Sequence, residues 1–171
     1  MAAMHTALLV IDVQRALFEQ KTPIYRADQL LAAVQGLIAR AHEAGVLVVY
    51  VQHSNERLLI KGSEGWQLHP QLCPQAEDLL IQKLHGSAFE DTPLAEELGR
   101  RGITTVVIAG LVTHGCVKAT ALDARKHGYA TTVAADAHSS YSRDAGSLIE
   151  TWNARFAEQG ITVLPSDEIR F

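Results

Sequence analysis

Three short apolar runs constrain the fold of this chain more than any other feature: "TALLVIDV" (6–13), "VLVVYVQH" (46–53) and "TTVVIAGL" (104–111). A strand with one wet face alternates apolar and polar residues, whereas a run that is apolar almost throughout belongs to a strand covered on both faces, the usual state in a parallel sheet. Between the first two runs, "RADQLLAAVQGLIARAHEAG" places Leu30, Leu31, Val34, Leu37, Ile38 and Ala41 at helical spacing, with Asp28 near the start and Gly45 as the stop. The result is a strand–helix–strand unit. The alternation continues along the chain. "EDLLIQK" (77–83) reads as a strand, and "TPLAEELGRRG" as a helix capped by Thr92 with Pro93 at its first position. "HGCVKATALDARKHG" reads as a helix, "YATTVAAD" (129–136) as a strand, residues 143–160 as a helix and "ITVLP" (161–165) as the last strand. The expected architecture is α/β: three α/β/α layers around a mostly parallel six-stranded sheet, Rossmann-like, with helices on both faces.

With 171 residues, 47% of them hydrophobic, the chain has material for one substantial core, so residues 1–171 are read as a single domain. A net charge of −4 and the lack of any concentrated basic run argue against nucleic acid and anionic lipid as partners. No apolar run approaches the roughly 20 residues that cross a bilayer, and "MAAMHTALLVIDVQ" lacks the pattern of a signal peptide. The expectation is therefore a cytoplasmic protein that acts on a small-molecule substrate. Cys73 and Cys116 are expected to be free thiols in such a compartment. The long non-periodic segment 54–74 is a candidate functional loop.

Ligands of an open α/β sheet bind outside the carboxyl ends of its strands. In this chain those ends carry Asp12 and Gln14, Gln52 and His53, Lys83, then Val112, Thr113 and His114 before Cys116, and finally Asp136 and His138. Taken singly, each has an ordinary structural explanation: a cap or ion pair for Asp12, a solvated Lys83, a small buried thiol at Cys116. Taken together, an acid, a lysine and a cysteine on one edge could form an activated nucleophile, with the acid removing the thiol proton and the ammonium favouring the thiolate. The residues alone leave two rivals open. Cys116 could pair with a histidine such as His138 in an elbow-type site, or Asp12 and Lys83 could serve an inert binding module.

Three segments carry a closer resemblance. "ALLVIDVQRALF", "QKLHGSAFEDTPL" and "GLVTHGCVKATALDA" follow, in order and at compatible spacing, the motifs of the isochorismatase-like cysteine hydrolases. These are the relatives of nicotinamidase, N-carbamoylsarcosine amidase and ureidoacrylate hydrolase. The resemblance spans nearly the whole chain. It implies the isochorismatase-like hydrolase fold, a catalytic triad of Asp12, Lys83 and Cys116, and hydrolysis of an amide-like C–N bond through a thioacyl-enzyme. It also implies a cis peptide between Leu111 and Val112, an oxyanion hole made by the N–H groups of Val112 and Cys116, and a homodimer or higher homo-oligomer. Gly110 and Gly115 suit the crowding of such a turn.

Departures from the pattern are equally informative. Nicotinamidases of the family bind a metal through Asp-x-His after the second strand; here His53 stands in the aspartate's place and Asn55 in the histidine's. No metal and no other cofactor is expected, although His69 remains downstream. True isochorismatases, which cleave a vinyl ether, commonly lack the cysteine, so Cys116 disfavours that reaction. The candidate substrate-binding residues are Gln14, Phe18, His53, Trp66 and His114.

Overall fold

The computed structural model describes residues 5–171. Six strands, β1 (Thr6–Ile11), β2 (Leu47–His53), β3 (Leu79–Lys83), β4 (Thr105–Leu111), β5 (Ala130–Ser139) and β6 (Thr162–Leu164), form one sheet in the order β3-β2-β1-β4-β5-β6. Every neighbouring pair is parallel. The apolar runs of the sequence are its inner strands, and each is buried on both sides as expected of a covered parallel sheet.

Strand periodicity sorts these residues between two cores. Leu8, Val10, Val48, Tyr50, Val107 and Ala109 face one side, where α2 (Ala27–Glu43) contributes Leu30, Leu31, Val34, Leu37, Ile38 and Ala41. Trp66, Leu59 and Leu72 of the long 54–74 segment complete that layer. Ala7, Leu9, Ile11, Val49, Val51, Val106 and Ile108 face the other side. There they meet Leu94 and Leu98 of α3 (Leu94–Arg100), Ala121 and Ala124 of α4 (Lys118–Lys126), and Phe156 of α5 (Ala145–Glu158).

Several boundaries differ from the sequence reading for physical reasons. A four-residue helix, α1 (Arg15–Phe18), follows β1 and is too short to leave a periodic signal. The helix expected to start near His114 begins instead as a π-helical turn over Thr113–Val117, with Gly115 at φ −113° and ψ −110°, and becomes regular only at Lys118. Strand β5 runs on to Ser139 because its register against β4 jumps between Ile108↔Val133 and Gly110↔His138, a bulge that lets pairing resume. Helix α3 starts at Leu94, whose N–H is accepted by the Thr92 hydroxyl at 3.3 Å. Among the described residues no helix is long and apolar enough to cross a membrane.

The strand order fixes where a site can form. The chain builds outward from β1 to β3, then returns to the other side of β1 for β4, so the connections diverge between β1 and β4 and leave a crevice at their carboxyl ends. At that point the two backbones approach closely: Gly110, at φ 123°, pairs with Ile11, and a Cβ there would stand 2.1 Å from the Ile11 carbonyl oxygen. Only glycine fits.

Candidate active site

Asp12 is the first residue beyond β1. It adopts φ 51°, a left-handed conformation that aspartate tolerates better than most residues, and its N–H donates to the Val51 carbonyl at 3.0 Å. Its carboxylate is thereby held over the ends of β2 and β3. Lys83 closes β3 in register with His53 of β2. Its side chain is wholly buried, and Nζ lies 3.1 Å from Asp12 Oδ2, 3.1 Å from His53 Nδ1, 3.0 Å from the His85 carbonyl and 3.1 Å from Cys116 Sγ. Cys116 enters from the π-helical turn beyond β4 and is half-buried. The Leu111–Val112 peptide that leads into this turn is cis. Three residues from three separate segments thus meet around one ammonium.

The electrostatics differ from the expectation of a ready-made thiolate. Burial, and secondarily the negative charge of Asp12, push the Cys116 thiol up to about 12, with Lys83 opposing that shift. Burial also raises Asp12, against the pull of Lys83, Cys116 and His53. The resting site therefore holds a protonated thiol beside a carboxylate of enhanced proton affinity. Asp12 Oδ1 is buried and makes no hydrogen bond of good geometry, while Cys116 Sγ lies within 4.8 Å of the carboxylate.

The expected substrate-binding residues divide. His53 belongs to the cluster, half-buried with Nδ1 on Lys83. Gln14 does not line a pocket: it is fully buried, its amide nitrogen donating to the His53 carbonyl (3.0 Å) and the Trp66 carbonyl (2.8 Å) and its oxygen accepting from the His53 N–H (2.9 Å). It clamps the ends of β1 and β2 to the long segment. Trp66 likewise belongs to the core, with its indole N–H on Ser54 Oγ at 3.0 Å. Phe18 packs edge-on to His69 at 4.7 Å, and His69 Nδ1 accepts from the Gln71 N–H. His114 is half-buried with Nδ1 enclosed and unpartnered.

The elbow-type alternative built on His138 is overturned. That ring is buried, with Nδ1 at 2.8 Å from Thr113 Oγ1 and Nε2 at 2.8 Å from Asn153 Oδ1. Because the Asn153 amide nitrogen donates to the Ala135 carbonyl, its oxygen must accept from His138 Nε2, leaving Nδ1 to accept from Thr113. Both nitrogens are engaged away from Cys116. This chain from Asn153 through His138 to Thr113 supports the residue after Val112, and no local motif betrays it, because Asn153 lies forty positions downstream on α5.

One atom each from Asp12, His53 and Cys116 lie within 4.8 Å of one another, a spacing that could hold a metal ion. The Lys83 ammonium stands among them, 3.1 Å from Asp12 Oδ2, His53 Nδ1 and Cys116 Sγ. Asn55, at the position where metal-binding relatives carry histidine, instead accepts the N–H groups of Arg57, Leu58 and Leu59 at 2.9–3.0 Å and shapes the start of the long segment.

Residues 6–167 match the isochorismatase domain model. Streptothricin hydrolase of Streptomyces noursei is 34% identical over 166 residues, covering 95% of this chain and 66% of that protein. The chain thus spans about two thirds of that relative. Maleamate amidohydrolase of Pseudomonas putida is 34% identical over 150 residues, covering 74% of this chain and 68% of the enzyme. The crystal structure of N-carbamoylsarcosine amidase from Thermoplasma acidophilum superposes with a TM-score of 0.87 at 29% identity, covering 97% and 99% of the two chains. With a domain match running almost end to end, the chain belongs to the isochorismatase family.

Proposed function

We propose that this protein is a cysteine hydrolase that cleaves an amide-like C–N bond, in an amide, ureide or carbamoyl compound, through a thioacyl-enzyme. The observation that carries the reading is the buried contact set in which one ammonium touches both Asp12 and Cys116 at 3.1 Å. Similarity to a maleamate amidohydrolase and an N-carbamoylsarcosine amidase supports the same bond type.

In this reading Asp12 takes the thiol proton as Cys116 Sγ forms a bond to the substrate carbonyl carbon. The carbonyl electron pair moves onto oxygen, where the backbone N–H groups of Val112 and Cys116 donate to it. Collapse of the tetrahedral adduct breaks the C–N bond, and the departing nitrogen takes its proton from Asp12. Water then attacks the thioacyl carbon and gives a proton to Asp12. The C–S bond breaks, the acid departs, and the proton returns to sulfur. The Lys83 ammonium, in contact with both, compensates whichever of Asp12 and Cys116 is negative.

The test is release of ammonia or amine from a panel of small amides, ureides and carbamoyl compounds. Turnover should appear with the wild type and fall at least about a thousandfold in Cys116→Ala and Cys116→Ser, with unchanged circular dichroism. Full activity in either variant overturns the assignment. The same reading carries a cytoplasmic location and assembly into homodimers or higher homo-oligomers; Leu80 and Leu84, exposed along the free edge at β3, offer apolar surface for the latter, and light scattering measures it.

A further inference from the structure

The Lys83 ammonium has three protons and four partners within 3.1 Å: Asp12 Oδ2, His53 Nδ1, the His85 carbonyl and Cys116 Sγ. One contact must go without a full hydrogen bond. An ammonium cannot accept, so His53 Nδ1 presents its lone pair and the ring is neutral with its proton on Nε2. A carboxylate, a carbonyl and an imidazole nitrogen are all stronger acceptors than a thiol sulfur, so the resting Cys116 is the partner left over.

We infer that His53 is a positioning residue that keeps the resting nucleophile protonated, by occupying the ammonium proton that would otherwise be directed at Cys116 Sγ. The four partners then fall into two kinds. His53 Nδ1 and the His85 carbonyl hold their charge through the cycle and fix the ammonium in place. Asp12 and Cys116 exchange a proton, and Lys83 follows the negative charge between them. When Asp12 takes the thiol proton its claim on the ammonium weakens, and the freed N–H turns to the new thiolate. The thiolate is thereby made at the moment of attack and not stored.

The surroundings of Cys116 support this division. The ionisable side chains facing its sulfur are Asp12 from the end of β1, Lys83 from β3 and His53 from β2. His114 lies on the same turn. The side chain of His85 is turned outward to Asp91 at 3.1 Å, so it presents only its carbonyl to the cluster. Burial, and after it Lys83, lower His53 against the opposing pull of Asp12 and of the His85 carbonyl, in line with the neutral ring that the Lys83 contact requires. The His53 backbone is held on both its N–H and its carbonyl by Gln14, so changing the side chain leaves that clamp intact.

The inference rests on the proposed nucleophile, and its test needs no substrate. The rate of Cys116 alkylation by iodoacetamide is measured against pH in a Cys73→Ser background, for wild type, His53→Leu and His53→Asn. Loss of the acceptor in His53→Leu should release one ammonium proton to sulfur, lowering the ionisation midpoint by about one unit and raising the rate near neutral pH about tenfold. His53→Asn, which can present Oδ1 where Nδ1 stood, should stay within about threefold of wild type. Equal or slower alkylation in His53→Leu overturns the inference, as does a His53→Asn that behaves like His53→Leu. Should Cys116→Ala remain fully active on the amide panel, the proposed function fails while the alkylation result still decides the role of His53.

Discussion

Replacing Lys83 by methionine removes the positive charge that pairs with Asp12 while keeping most of the side chain's length. Asp12 would then be a carboxylate that is 3% exposed with no ammonium beside it, and breaking a buried pair from one side costs about 3–5 kcal/mol. The sign of the pH dependence follows from the two partners. In the variant desolvation acts on Asp12 without the pull of Lys83, the largest influence opposing it, so its folded-state proton affinity rises above both the wild-type and the unfolded values. A carboxyl with a raised folded value destabilises the fold when it ionises, and that penalty disappears as pH falls and the group takes a proton. In the wild type burial also raises Asp12, but Lys83 opposes that shift, so acidification relieves the wild type less than the variant. The gap between the two proteins should therefore be about 3–5 kcal/mol at pH 8 and clearly smaller at pH 5, because the variant recovers more on acidification than the wild type. Urea titrations of both proteins at the two pH values measure it. A gap below about 1 kcal/mol at pH 8, or one that does not narrow on acidification, would refute the claim that this pair is a buried, mutually dependent charge couple.

Two further substitutions probe the scaffold under the site. Gly110→Ala sets a Cβ 2.1 Å from the Ile11 carbonyl oxygen at a φ of 123°, a backbone clash no rotamer can relieve, and should cost at least about 3 kcal/mol, a fall in Tm of roughly 6–12 °C. Gly99→Ala, in α3 with nothing within 4 Å of the added methyl, should instead leave Tm unchanged or raise it slightly, and a similar loss at both positions would contradict the steric argument. Gln14→Ala orphans the part-buried His53 N–H and carbonyl and should destabilise by about 2 kcal/mol, with reduced turnover as His53 loosens. A raised KM with full stability would return Gln14 to the pocket wall.

The strands were legible because burial on both faces writes itself into every residue of β1, β2 and β4, and α2 because six apolar positions keep the helical period. The π-helical turn was not, since "THGCV" has the composition of a helix start and only its three-dimensional setting bends Gly115 out of helical geometry. Nor was the end of β5, whose length is decided by a bulge against β4 and not by its own residues. At the site, the convergence of Asp12, Lys83 and Cys116 followed from the sheet's switch point together with three motifs, and the structure brings them into contact. What sequence could not supply is depth. Gln14 and Trp66 look like pocket residues from their positions beside the strand ends, yet each is buried with its polar atoms engaged by the long 54–74 segment and its neighbours.

Depth also reverses the expected state of the nucleophile. A lysine near a cysteine at the sheet edge suggests a lowered thiol, because in water the ammonium's attraction would be the leading influence on the sulfur. With the Lys83 side chain wholly enclosed, the loss of solvation penalises any additional charge, and the ammonium is already matched by Asp12. One positive charge can neutralise one negative charge at a time. The pair Asp12⁻ and Lys83⁺ is complete before the thiol ionises, so a thiolate becomes affordable only when its proton goes to Asp12 and the negative charge moves, leaving the total unchanged. In the proposed reaction the same enclosure that penalises a Cys116 thiolate beside the complete pair favours Asp12 as the destination for the thiol proton, because that transfer leaves the total charge unchanged.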